Sequence, residues 1–155
     1  MLQVGDAAPD FTMASDKVDE VVLKDLRGSV VVLYFYPKDD TPGCTQESCD
    51  FRDQYGAFRD QGVHIFGVSC DDISSHEKFA SKFSLPFPLL SDPDASVCNA
   101  YGIYKEKNMY GKKFMGIERT TFVIDGDGNI ARIYPKVKVG GHVDAILQEL
   151  TQPTK

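Results

Sequence analysis

No stretch of this 155-residue chain approaches the roughly 18–20 consecutive apolar residues that cross a bilayer. The longest such run is Val30–Tyr36. The opening MLQVGDAAPD lacks the basic n-region and apolar h-region of a secretory signal. Positive charge is scarce, with 17 Lys and Arg against 23 Asp and Glu and a net charge of −6. A nonspecific nucleic-acid binder needs a basic face to neutralise phosphates, so that class is excluded. Cysteine is sparse too. Four of them, at 44, 49, 70 and 98, do not make the framework of a small secreted domain. There is no internal repeat, low-complexity tract or linker. What remains is a chain of one-domain length, 1–155, expected in the cytoplasm with neither membrane nor nucleic acid as partner. A chain this long buries roughly 68–70% of its unfolded surface. Its 42% hydrophobic content suffices for a core, and 26% charged residues is ordinary for a globular protein. The polar tail Thr151–Lys155 is expected to fray.

The hydrophobic pattern predicts alternating strands and helices. Ser29–Tyr36 is a continuous β-branched and aromatic run, too short for most helices. It reads as a strand buried on both faces, the mark of a central sheet covered by helices. Val63–Val68 and Thr120–Ile124 read the same way. Asp125-Gly126-Asp127-Gly128 is a turn, and Asn129–Tyr134 returns as the other arm of a hairpin. Cys44, Ser48, Phe51, Tyr55 and Phe58 share one helical face, which predicts a helix from about Gly43 to Asp60, ended by Gly62. Further helices are predicted over Ile73–Phe83 and Gly141–Leu150, and a short one around Cys98. The segment Ile103–Glu118 is expected to be a packed hairpin or an ordered loop, or alternatively the rim of a pocket. The resulting order, β-α-β-α-β-β-α behind an N-terminal extension with short strands, is that of an α/β domain of thioredoxin-like fold, a mixed central sheet flanked by helices.

The segment that carries chemistry is Tyr34-Phe-Tyr-Pro-Lys-Asp-Asp-Thr-Pro-Gly-Cys44-Thr-Gln-Glu-Ser-Cys49. It sets Cys44 just after a central strand, in the first turn of the next helix. Open α/β sheets bind ligands at the carboxyl ends of their strands. A helix N-terminus brings partial positive charge and unpaired N–H groups. Both favour a thiolate and can hold an oxygen beside it. Thr41, three residues earlier, carries a hydroxyl that can donate to the thiolate or accept from a substrate O–H. Pro37 and Pro42 stiffen the loop. Cys49 follows at i+5. In an intact helix the two Cα atoms lie about 8.7 Å apart, beyond the roughly 7 Å that a disulfide spans. These thiols can join only if the first turns of the helix unwind.

This segment resembles the peroxiredoxins. Pro37-x3-Thr41-x2-Cys44 is similar to their active-site motif. Thr-Pro-Gly-Cys-Thr with a cysteine five residues on resembles the bacterioferritin-comigratory, or PrxQ, branch. Gly5-Asp-x-Ala-Pro-Asp-Phe11 is similar to the family's opening. Leu85–Asp92 with Tyr101-Gly102 is similar to its middle, and Arg119–Asp125 to the strand bearing its arginine. The resemblance implies a thiol peroxidase without cofactor or metal. Cys44 would attack a hydroperoxide and become a sulfenic acid. Thr41, Arg119 and the N–H groups of the Gly43–Cys44 turn would bind and polarise the peroxide. Pro37 would shield the sulfenic acid, and Cys49 would resolve it as an intramolecular disulfide. A thioredoxin-type dithiol would reduce that disulfide, and the branch implies a monomer. A redox-sensing or holdase switch on the same disulfide, and a one-cysteine peroxidase with Cys49 idle, are the alternatives.

Other candidates carry less. Cys70 and Cys98 are assigned to packing, with a part in resolution or dimer contacts left open. His76-Glu77-Lys-Phe-Ala80 lacks the second His of a zinc-protease helix. Asp125-Gly-Asp127-Gly-Asn129 opens like a calcium loop but has Ile130 at the sixth position and Lys136 at the twelfth.

Overall fold

The computed structural model describes residues 2–151. Seven strands form one mixed sheet in the order β2-β1-β5-β4-β3-β8-β9. They are β1 (Thr12–Ser15), β2 (Glu20–Val22), β3 (Val31–Phe35), β4 (His64–Ser69), β5 (Leu89–Ser91), β8 (Thr120–Ile124) and β9 (Ile130–Tyr134). β6 (Tyr104–Met109) and β7 (Lys112–Ile117) form a separate hairpin. The helices are α1 (Pro42–Asp53), α2 (Tyr55–Asp60), α3 (Ile73–Phe83), α4 (Ser96–Ala100) and α5 (His142–Thr151).

β3 is the structural axis. It pairs parallel with β4 and antiparallel with β8, and all five of its residues are buried. Side-chain alternation along it divides the core in two. Val31, Leu33 and Phe35 enter a cluster with Phe11, Phe122, Tyr101 and Cys98. Val32, Tyr34 and Tyr36 enter another with Cys44, Phe51, Phe58, Phe79, Val143 and Ile146. The second face is therefore covered by α1, α2, α3 and α5. The first is covered by the N-terminal segment and α4. The N-terminal hairpin β1–β2 extends the sheet by pairing antiparallel with β5.

The expected helix Gly43–Asp60 is two helices. Gln54, at φ −104° and ψ 6°, separates α1 from α2. The apolar face runs across the break, because Gln54 still donates to Asp50 and still accepts from Phe58. Gly62 does end the element. At φ +72° it donates to Arg59 while Val63 donates to Phe58, the paired bonds of a Schellman stop. The predicted Ile73–Phe83 helix has those bounds, with Asp72 accepting from Ser75 N–H at its start. Strand β5, only three residues long, was absent from the expected order. Segment 103–118 is a hairpin turned at Tyr110 (φ 54°) and Gly111 (φ 80°), as a type I′ turn requires. It is not packed as expected: Met109, Tyr110, Phe114 and Met115 are exposed on it. The turn at 125–128 does join β8 to β9, with Asp125 Oδ1 accepting from Asp127 and Asn129. Of the tail expected to fray, residues 152–155 lie outside the described residues. Among those described, no helix is long and apolar enough to cross a membrane.

Candidate active site

The site is assembled where β3 hands over to α1. The chain leaves the sheet at Tyr36, passes through the exposed Pro37 and enters the helix at Thr41, the N-cap, with Pro42 as its first residue. The first intrahelical bond runs from Thr45 N–H to Thr41 O. The N–H groups of Gly43 and Cys44 stand ahead of it, and among the described residues no side chain caps them. Cys44 itself is buried, 1% exposed, against the aromatic cluster of Tyr34, Tyr36 and Phe51.

Arg119 reaches this turn from the junction of β7 and β8. Its Nη2 donates to Cys44 Sγ at 3.2 Å and its Nη1 to Glu47 Oε1 at 2.8 Å. Seventy-five residues apart in sequence, the cysteine and the arginine are thus brought into contact. A charged donor at this distance can hold both the sulfur and an oxygen brought up beside it. Gly43 makes room for it, since a Cβ there would stand 3.1 Å from Arg119 Nη2. Thr41 settles one of its two expected roles. Its hydroxyl donates to Lys38 O at 2.9 Å, so its proton is committed and its oxygen is left to accept. Pro37, on the same loop, is exposed.

Two residues behind the sulfur were not anticipated. Glu47 is fully buried, and burial raises its carboxyl from 4.5 to about 7, against the lowering effect of Arg119. Its Oε2 has no hydrogen-bond partner among the described residues. His142 Nε2 lies 3.9 Å from that oxygen but is bonded to Thr121 Oγ1 at 2.8 Å. Burial, reinforced by Arg119, pushes His142 down to about 4, so at neutral pH it is an uncharged neighbour rather than an ion-pair partner. A third unanticipated group, Lys107 of β6, is lowered by burial and by repulsion from Arg119, with Cys44 and Glu118 opposing. The hairpin therefore leans its one half-buried lysine toward the site. Glu47 had a readable signal, an acidic residue three positions from Cys44 on the apolar face of α1. Lys107 and His142 had none.

Cys49 lies in the same intact helix, half-buried, and its thiol is free. Burial pushes that thiol up, with Arg52 opposing and Asp53 and Asp50 assisting. The structure thus holds Cys44, Gly43 and Arg119 together, and keeps Cys49 one and a half turns away in a protonated state.

The loop between Pro37 and Thr41 has a buried anchor. Asp39 accepts from Tyr36 Oη at 2.5 Å and Ser75 Oγ at 2.8 Å, and lies 2.7 Å from His76 Nδ1. Asp39 N–H donates to Asp71 at 2.8 Å. Asp39, Asp71 and His76 are grouped closely enough for a metal, within 4.8 Å. But His76 Nε2 faces the carbonyl of Leu90 at 2.9 Å, so both ring nitrogens are committed and neither lone pair is free. The group reads as a hydrogen-bonded fastening of the loop to α3.

A family model described as the AhpC/TSA family matches residues 4–133. The chain is 50% identical over 149 residues to a putative peroxiredoxin bcp of Coxiella burnetii, covering 96% of this chain and 99% of that one. Among solved structures, peroxiredoxin Q of Xanthomonas campestris superposes with a TM-score of 0.88 at 43% identity, over 97% of this chain and 95% of that one. The bacterioferritin comigratory protein of the same organism, solved as trapped intermediate/ligand complexes bearing on its alkyl peroxide reduction activity, gives a TM-score of 0.88 at 42% identity. It covers 97% of this chain and 96% of its own.

Proposed function

The chain belongs to the AhpC/TSA family as a Bcp/PrxQ peroxiredoxin, a thiol peroxidase, and on that premise we propose that Cys44 is its peroxidatic thiol and Cys49 its resolving one. One observation carries this reading: Arg119 Nη2 donates to Cys44 Sγ at 3.2 Å, at a helix end whose N–H groups are uncapped. The thiolate attacks the terminal peroxide oxygen, the O–O bond breaks, and water or an alcohol leaves. Arg119 and the Gly43 and Cys44 N–H groups are aimed at the charge that develops on those oxygens. Thr41 accepts from the peroxide O–H, because its own proton is held by Lys38 O. Pro37, on the exposed loop, limits water around the nascent sulfenic acid.

Resolution needs α1 to open. The two cysteines share an unbroken helix, five residues apart, at a separation no disulfide spans. Unwinding the first turns frees Cys49 from the burial that keeps it protonated and lets it reach Cys44. The products are an intramolecular disulfide and water. A thioredoxin-type dithiol then restores both thiols by exchange. The substrate class is hydrogen peroxide and organic hydroperoxides. The protein acts as one domain and as a monomer in a reducing cytoplasm.

The test is to mix reduced protein with one equivalent of hydrogen peroxide, quench within milliseconds to seconds, and map the thiols by peptide mass. A rapid Cys44–Cys49 crosslink, with Cys70 and Cys98 still free, is expected. A lasting sulfenic acid on Cys44 would remove Cys49 as resolver. Oxidation of Cys44 no faster than a free thiol would overturn the assignment of the peroxidatic residue.

A further inference from the structure

Thr41 can accept from a peroxide only while its own proton is occupied, and that proton goes to Lys38 O at 2.9 Å. The loop carrying this carbonyl lies largely in solvent. Pro37, Lys38 and Asp40 are exposed. Asp40 also sits in the left-handed region at φ 56°, where a residue with a side chain stays only if its surroundings impose it. The orientation of Lys38 O must therefore be imposed from outside the loop.

Lys38 O and Asp39 N–H belong to one peptide unit. That unit is planar, so whatever holds the N–H also aims the carbonyl. The N–H is held by Asp71, whose Oδ2 accepts it at 2.8 Å. Asp71 is itself held by the ends of two central strands. Its Oδ2 also accepts from Ser69 Oγ, at the end of β4, at 2.7 Å, and its N–H donates to the same hydroxyl at 3.1 Å. Its carbonyl accepts from Ser91 Oγ, at the end of β5, at 2.6 Å. Both serines are buried. A chain of hydrogen bonds runs from the sheet through Asp71 to the 38–39 peptide and on to the Thr41 hydroxyl.

The Asp39 side chain keeps that peptide within reach of Asp71. Its buried carboxylate accepts from Tyr36 Oη and Ser75 Oγ, on the sheet side and on α3. His76 adds a third tie. Leu90 O can only accept, so His76 Nε2 carries a proton. The Nδ1–Oδ2 contact at 2.7 Å then holds a further proton between ring and carboxylate. With the Asp39 side chain fastened on one side and its N–H on the other, the Lys38 carbonyl has one direction to point.

We propose that Asp71 is a positioning residue for peroxide reduction: by holding the Asp39 N–H it keeps Lys38 O on the Thr41 proton, and so reserves the Thr41 oxygen for the peroxide O–H. The inference rests on the reading of Cys44 as the peroxidatic thiol and goes beyond it, because Asp71 acts only through a peptide and a hydroxyl. Without its carboxylate the peptide is free to turn, Lys38 O leaves the hydroxyl, and the peroxide loses its acceptor.

The test compares the unaltered protein with Asp71→Ala, Asp71→Asn, Thr41→Val and the double variant of Asp71→Ala and Thr41→Val. Two rates are measured at one pH. Stopped-flow reads the reaction of the reduced protein with hydrogen peroxide. Peptide mapping reads iodoacetamide alkylation of Cys44, which needs the thiolate but no acceptor. Asp71→Ala is expected to slow the peroxide reaction by roughly tenfold while leaving alkylation within about twofold. Asp71→Asn keeps an oxygen for the Asp39 N–H and is expected to recover most of that loss. In the Thr41→Val background Asp71→Ala should cost nothing further, because the group it acts through is gone. A peroxide rate unchanged by Asp71→Ala, a loss of the same size in both backgrounds, or a loss shared by alkylation would each overturn the proposal. An unaltered protein no faster with peroxide than a free thiol would instead remove the reading of Cys44, and this inference with it.

Discussion

Replacing Glu47 with Gln isolates the cost of keeping a carboxylate dry. Glu47 is 0% exposed and holds its proton to about pH 7 in place of the ordinary 4.5. At about 1.4 kcal/mol per pKa unit, this difference is worth about 3 kcal/mol. Its sign follows from where the proton sits. Below 4.5 the carboxyl is protonated in both the folded and the unfolded chain, and stability is undiminished. Between 4.5 and about 7 the unfolded chain releases the proton while the folded chain retains it, so stability falls as pH rises. Above about 7 the whole loss is present. Gln keeps an oxygen for Arg119 Nη1 but has no charge to desolvate. Urea unfolding of both proteins should therefore show the advantage of Glu47→Gln growing by about 2–3 kcal/mol between roughly pH 5 and pH 8, with equal m-values. An advantage independent of pH, or one that shrinks as pH rises, would refute the reasoning. It would mean that the Arg119 ion pair outweighs burial.

Arg119→Met removes the guanidinium that donates to Cys44, and the rate constant for peroxide with the reduced protein should drop by roughly 10²–10³ in stopped-flow measurements, whereas a loss below about tenfold would leave Arg119 a structural residue. Gly43→Ala places a Cβ 3.1 Å from Arg119 Nη2 and must shift the guanidinium by a few tenths of an ångström, which should slow the same reaction by roughly tenfold with little change in urea midpoint. His76 is lowered by burial, but its bonds to Asp39 and Leu90 O more than compensate and raise it above 6.5. Its stabilising contribution is present below 6.5 and is lost as pH rises through that elevated value, so His76→Asn should cost more at about pH 6 than at about pH 9 in unfolding experiments.

What the sequence disclosed, it disclosed where local pattern and tertiary packing agree. The run Val31–Phe35 could be read as a doubly buried strand because both of its faces are apolar, and the two faces now head the two core clusters. The helix over Ile73–Phe83 was legible from its inward Ile73, Phe79, Ala80 and Phe83, and in the structure Asp72 caps it and Ser84 leaves it in the left-handed region. The break at Gln54 was hidden because the apolar face continues through it. β5 was hidden by its length of three residues. Cys44 announced itself by its place at a strand-to-helix junction. Arg119 did not: before a strand an arginine is ordinarily solvated, and only resemblance to a known motif singled it out. Glu47 left a local trace, an acidic residue on the apolar face of α1, but His142 and Lys107 matter through contacts made across α5 and the β6–β7 hairpin, which no local window contains. The acceptor role of Thr41 depends on the bend that brings Lys38 O within 2.9 Å of its hydroxyl, again a property of the folded loop.

The buried carboxylate also bears on resolution. Glu47 lies between Cys44 and Cys49 in α1, so the unwinding that joins the two sulfurs exposes Glu47 and ends its desolvation. Above about pH 7, where the folded helix carries the full penalty, that release offsets part of the cost of opening. Below it, the neutral carboxyl gains little from leaving. Wild-type protein should therefore convert Cys44 sulfenic acid to the Cys44–Cys49 disulfide faster than Glu47→Gln at about pH 8, with the two rates converging toward about pH 5. Taking the ratio of the two proteins cancels the titration of Cys49, which both share. The rates are read by quenched-flow thiol mapping after one equivalent of peroxide. A ratio that does not change with pH would confine the opening to the turn ahead of Glu47, leaving the carboxylate buried in the disulfide form.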